Sequence, residues 1–171
     1  MKETEEIATD YLPIVRAMVK MSSALSVADD IVDGKYYKFN FKRKFREWME
    51  IFEVTSEPLM KAFMEDGETA LQEAYTRFLK LTERVVKDSD RTNLILFYCK
   101  LKSAYKDLDE ITFEDGGLYT FIIKKQTSKV LIAIEKQYGD IFTVKDEDGD
   151  GIDAIIGNYD HLGKSMFTKE K

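Results

Sequence analysis

The sequence predicts an all-α, or predominantly α, fold: a multi-helix bundle in one domain. Three observations carry that prediction. Apolar residues recur at steps of three and four along most of the chain. Two prolines and nine glycines in 171 residues leave few forced breaks. No internal repeat or linker divides the chain, and its length suits one domain that buries roughly 70% of its unfolded surface.

The elements follow in order. Asp10 is placed to cap a first helix, with Pro13 in the first turn, where a missing N–H costs nothing. Leu12, Ile14, Ala17, Met18, Met21, Ala24, Leu25 and Ala28 form its stripe, and Asp33-Gly34 ends it. Lys38-Phe39-Asn40-Phe41 alternates and reads as extended. Phe41, Phe45, Trp48 and Phe52, at steps of four, three and four, mark a second helix. Ser56-Glu57-Pro58 starts a short third helix through Phe63, and Asp66-Gly67 is a turn.

A fourth stripe runs through Leu71, Ala74, Tyr75, Phe78, Leu81, Val85 and Val86, with a break from Lys87 to Asp90. A fifth follows through Leu94, Phe97, Tyr98, Leu101, Ala104, Tyr105 and Leu108. Glu114 to Gly117 reads as a turn. Beyond it, Tyr119, Ile123, Thr127, Val130, Ile134 and Tyr138 fit a helix, whereas the β-branched residues of Lys129 to Ile134 also suit a strand. Ile141 to Val144 reads as a short strand, so a hairpin is allowed here. Residues 139–171 read as a less regular, acidic and glycine-rich part of the same domain, with one short helix near Asp153 to Ile156.

Composition narrows the function classes. The net charge of −6 opposes indiscriminate coating of nucleic acid. The single cysteine, Cys99, has no internal partner and sits among Leu96, Phe97 and Leu101, as a buried, inert thiol would. A lone cysteine fits a reducing compartment. The acidic first residues lack a secretory pattern, and no apolar run approaches a membrane span. A cytoplasmic protein is expected. The excess of lysine over arginine, with many Phe, Tyr and Ile, is what an AT-rich bacterial or phage genome encodes.

Lys35 to Arg46 is the first candidate site. It holds six basic residues, five aromatics and no acid, which leaves the rest of the chain at −12. Tyr36, Tyr37, Lys38, Lys42, Arg43, Lys44 and Arg46 are the binding candidates. Such a segment docks an acidic protein surface, or holds phosphates while its rings stack on unpaired bases. The plainer alternative is a solvated face on a helix whose Phe41 and Phe45 belong to the core.

Asp146-Glu147-Asp148-Gly149-Asp150-Gly151 resembles the opening of an EF-hand-type calcium loop. The resemblance implies side-chain ligands at Asp146, Asp148 and Asp150 and a carbonyl ligand at Ile152. It then departs: Asp153 stands where an aliphatic belongs, and Gly157 where the bidentate glutamate belongs. A solvated acidic turn is expected, with calcium affinity no better than about millimolar, and no cofactor.

Gly157 to Ser165 approximates a phosphate-binding loop but places five residues between its glycines instead of four. His161, the only histidine, lies beside glycines rather than mid-helix, unlike a phosphotransfer histidine. Asp29-Asp30 and Asp109-Glu110 are acidic pairs at helix ends. One histidine and one cysteine supply nucleophilic or zinc chemistry poorly. The sequence reading is therefore a non-enzymatic, helical protein-binding protein (an adaptor, assembly factor or inhibitor). A single-stranded nucleic-acid-binding protein is the alternative, and homo-oligomerisation stays open.

Overall fold

The computed structural model describes residues 12–28, 39–52, 57–85, 89–139, 143, 145 and 148–161. Among these are seven helices and no strand. They are α1 (Leu12–Ala28), α2 (Phe39–Phe52), α3 (Glu57–Asp66), α4 (Glu68–Val85), α5 (Ser89–Asp109), α6 (Phe113–Gln137) and α7 (Ile152–Asp160). Asp10, Asp33-Gly34, most of Ile141–Val144 and the Asp29-Asp30 pair lie outside the described residues.

Helix α5 is the centre. Leu94, Ile95, Phe97, Tyr98, Cys99, Leu101, Ala104 and Leu108 are buried, on more than one side of the helix. A helix that is apolar over so much of its circumference must be covered from several directions. Helix α1 packs along it most extensively, α7 and α6 cover two further sides, and α4 is held to it through α7. Helix α1 meets the same demand. Arg16 and Lys20 are its only charged residues, and Ile14, Val15, Ala17, Met18, Val19, Met21 and Ala24 are buried against the core.

Helix α2 begins at Phe39, so the extended reading of Lys38 to Phe41 is corrected from Phe39 onward. Phe41 sits four residues before Phe45, and the stripe through Trp48 buries only if the segment is helical. Phe45, Trp48 and Phe52 pack as neighbours, tilted in the first pair and edge-to-face in the second, with ring centroids 6.1 Å apart in each. Helix α3 inserts Phe63 into the core and passes to α4 through the buried Gly67. That glycine donates its N–H to Phe63 O and accepts from Leu71 N–H, so the chain turns without leaving a backbone group unpaired. In α4, Ala74, Phe78 and Leu81 are buried, while Tyr75 points outward, contrary to its place in the predicted stripe.

Of the two readings open for Lys129 to Ile134, helix and strand, the structure takes the helix: the segment is the second half of α6. Ile123, Thr127, Val130, Leu131 and Ile134 fall on one helical face against α5, and their burial outweighs the β propensity of their branched side chains. Thr127 spends its hydroxyl on Ile123 O, 2.8 Å away, and so buries no unpaired group. Tyr119, at the start of the same helix, is exposed rather than part of the stripe.

The short helix expected near Asp153 to Ile156 is present and longer, as α7. Ile152, Ile155, Ile156, Asn158 and Tyr159 of α7 are buried between α4 and α5. Nine residues are too few to show from spacing alone how far the helix runs or that it is a core element, and the glycines before and within the segment mask its ends.

The turn expected at Glu114 to Gly117 is a helical turn followed by a kink. Gly117 has φ 66 and ψ −164, a combination essentially restricted to glycine. Its neighbour Gly116 is required for a different reason. A Cβ there would lie 2.6 Å from Thr120 Cβ and 2.7 Å from the Ile111 side chain. Thr120 in turn accepts the buried Trp48 Nε1–H at 3.0 Å, which ties α6 to α2. A methyl group at position 116 therefore displaces the acceptor of the Trp48 hydrogen bond. We expect Gly116→Ala to destabilise the protein by about 1–3 kcal/mol, the usual cost of overpacking. Chemical denaturation would measure the loss, and Trp48 fluorescence should report the altered indole environment in the folded state.

Candidate functional site

Helix α2 carries the described part of the basic segment. Burying Phe41, Phe45 and Trp48 on one side turns Arg43 and Arg46 out to solvent and leaves Lys42 and Lys44 half-buried. Lys44 lies 4.0 Å from Glu47 one turn on. Tyr36, Tyr37 and Lys38 lie outside the described residues. A cleft of about 560 Å³ opens between α1 and α2, lined by Ser22, Leu25, Ser26, Lys42, Phe45, Arg46, Met49 and Glu50. Leu25, Phe45 and Met49 supply an apolar floor. Lys42 and Arg46, one helical turn apart, form a cationic rim, and Ser22 and Ser26 face them from α1. The structure thus brings Lys42 and Arg46 together on one cleft and sets Arg43 on the exposed surface of the same helix.

The acidic loop gives a different picture. Asp148 is exposed, 3.9 Å from Lys80, and Asp146 lies outside the described residues. Gly149 turns the chain at φ 85. No group of three or more His, Cys, Asp or Glu side chains among the described residues could hold a metal ion. His161 is exposed at the C-terminal end of α7, with its backbone N–H donated to Asn158 O. Cys99 is fully buried, and burial lifts its thiol well above the ordinary value, as suits an inert packing residue.

Two buried polar clusters were missed by sequence reasoning. In the first, Asp107 of α5 meets Lys20 at 2.8 Å and Arg16 at 3.5 Å, all three nearly sealed from solvent. Arg16 also donates to the backbone O of Asp160, and the Asp160 carboxylate accepts from Ser103 at 2.5 Å and Lys106 at 2.9 Å. The cluster locks α1, α5 and α7 together. Burial pulls the Lys20 ammonium below its ordinary value and lifts the Asp107 carboxyl above its own, while their mutual attraction opposes both shifts. The sequence did hold a signal: two cations four residues apart within the apolar run Ile14 to Met21 need a buried acid.

In the second cluster, Lys100 of α5 donates to Ser23 Oγ of α1 at 2.7 Å and lies over the Tyr159 ring of α7, 5.9 Å from its centroid. Burial lowers its ammonium to about 8. Nearby, Tyr98 donates to Glu135 at 2.6 Å, joining α5 to α6. Nothing in the local sequence distinguishes Lys100 or Tyr98 from other members of the α5 pattern, because their partners are far away in the chain.

No family model, curated protein or solved structure matches this chain. No described helix is long and apolar enough to cross a membrane.

Two outcomes follow from the buried clusters. Asp107→Ala leaves two cations buried without their counter-charge and should cost about 3–5 kcal/mol. Lys20→Met, which keeps Arg16 beside Asp107, should cost less, and denaturant titration of both variants ranks them. Lys100 should make stability depend on pH. In the unfolded chain it titrates near 10.5, and in the folded protein near 8. Between these values the unfolded state holds more protons, so stability rises with pH across that window. Each pH unit traversed is worth about 1.4 kcal/mol. Wild-type stability measured relative to Lys100→Met should therefore climb by up to about 3 kcal/mol between pH 8 and 10.5. A flat difference would mean the amine is solvated in the folded state.

Proposed function

We propose that the chain is a non-enzymatic, helical protein-binding protein, an adaptor, assembly factor or inhibitor, that takes an acidic partner segment on the α1–α2 cleft. The observation that carries this reading is the cleft's composition: an apolar floor of Leu25, Phe45 and Met49 beneath the Lys42–Arg46 rim. An apolar centre with a charged surround is the anatomy of a protein-binding patch, where packing supplies affinity and charge supplies orientation and encounter rate. The volume admits a few apolar side chains of a docked helix. Glu50 at the α2 end of the lining disfavours a partner that is acidic throughout, and so favours one with a defined direction.

A nucleic-acid partner would have to use Tyr36 and Tyr37, which lie outside the described residues, because the segment's later rings Phe41 and Phe45 are taken. Base stacking needs aromatic faces open to solvent. Phe41, Phe45 and Trp48 are spent on the core instead.

The test replaces Lys42, Arg43 and Lys44 by glutamate. Arg43 is exposed, Lys42 and Lys44 are half-buried and none of the three belongs to the buried core, so the variant should keep the parent's circular dichroism. Fluorescence anisotropy then measures two probes, an amphipathic Glu/Leu-rich helical peptide and a single-stranded oligonucleotide. We expect the parent to bind the peptide in preference at physiological salt, with affinity falling at least tenfold in the variant. Tight oligonucleotide binding lost in the variant would move the assignment to nucleic acid. Equal, weak binding of both probes by parent and variant would leave α2 with an ordinary solvated face.

A further inference from the structure

Among the described residues, seven large apolar side chains are exposed, and all but Ile51 lie on α4 or α6. On α4, Tyr75 is 52% and Leu79 44% exposed. Along the same outward line lie the exposed Glu68 and Gln72, joined by a hydrogen bond of 3.4 Å. The nearest basic side chains are turned elsewhere: Arg77 donates to Ala154 O of α7, and Lys80 faces Asp148. On α6, Leu118 is 56% and Phe121 53% exposed, followed on the same outward line by the exposed Lys125 and Lys129. No acidic residue occurs from Leu118 to Ile134.

The two lines are therefore opposites in charge and alike in apolar content. They also match in length and order. Helix α4 spans about 27 Å, and α6 beyond its kink about 30 Å, at 1.5 Å per residue. Laid antiparallel, Leu79 meets Leu118, Tyr75 meets Phe121 and Ile122, Gln72 meets Lys125, and Glu68 meets Lys129. The separation is eleven residues on each helix, so apolar and charged ends fall into register together. Within one molecule the two helices do not pack extensively on each other.

We propose that the outward face of α4 is the docking surface for the outward face of α6 on a second copy of this chain. This goes beyond the α1–α2 cleft and uses none of its lining residues. Because the two faces differ, the contact is head-to-tail. It extends into a chain of copies, or closes into a ring if the rotation permits.

That asymmetry supplies the test. Tyr75→Ser with Leu79→Ser disables the α4 face, and Leu118→Ser with Phe121→Ser disables the α6 face. All four side chains are exposed, so both variants should fold, as circular dichroism would verify. Sedimentation equilibrium of the full-length parent should show a mass that rises with concentration past the dimer and falls at high salt. Each variant alone should stay monomeric at every concentration. Their equimolar mixture should form a species of twice the chain mass and nothing larger, because each contributes one intact face. A parent that remains monomeric at high concentration overturns the proposal. So does a mixture that stays monomeric, or a variant that associates as the parent does.

Discussion

A buried carboxylate on a buried helix constrains much of this molecule. Asp107 lies on α5, which has little surface to offer to water, so its charge must be met by groups brought from elsewhere in the chain. Arg16 and Lys20 meet it, and to do so α1 must lie along α5 in one register. A slide of one turn would keep most apolar contacts but part the charges. Hydrophobic burial is tolerant of such slides, whereas a paired buried charge is not. The apolar side chains supply the driving force for the α1–α5 pair, and the ionic cluster fixes its alignment. Arg16 Nε lacks a hydrogen-bond partner among the described residues, and the Lys20–Asp107 contact is an ion pair rather than a well-aligned hydrogen bond. Alignment here comes at some expense in stability.

Much of the fold was legible because helical periodicity is a local property. Leu94, Phe97, Tyr98, Leu101, Ala104 and Leu108 announce α5 with no knowledge of what packs on it, and Phe45, Trp48 and Phe52 do the same for α2. The readings left open or incomplete lie where local signals compete or are too short. Val130 and Ile134 carry strand propensity, yet burial against α5 decides their conformation. Ile152, Ile155, Ile156 and Tyr159 occupy barely two turns behind a run of Asp and Gly, so a short helix was legible there but not its extent or its place in the core. Tyr75 and Tyr119 sit on the shoulders of their stripes, where a large amphipathic ring packs inward or stands in water with little to separate the two from spacing alone.

The candidate site was legible in its charges and not in its shape. Lys42 and Arg46 stood out as members of a basic run, but the run does not reveal that Leu25, from a different helix, would complete a cleft beneath them. The polar cluster at Lys100 was invisible for the same reason. A hydrogen bond between residues 77 positions apart leaves no mark on either neighbourhood.

The position of α7 bears on how the chain reaches its native state. This last described helix fills the space between α4 and α5, and its polar anchors reach back 85 residues to Glu73 and 144 to Arg16. Chain emerging from a ribosome presents α1 to α6 first, so the faces of α4 and α5 that receive α7 must wait in a trough open on one side until Ile152 to Tyr159 arrive. Contacts this distant in sequence close late and slow the approach to the native state. The nascent protein therefore passes through a stage in which the apolar seam between α4 and α5 is uncovered, and the later-synthesised α7 is what seals it.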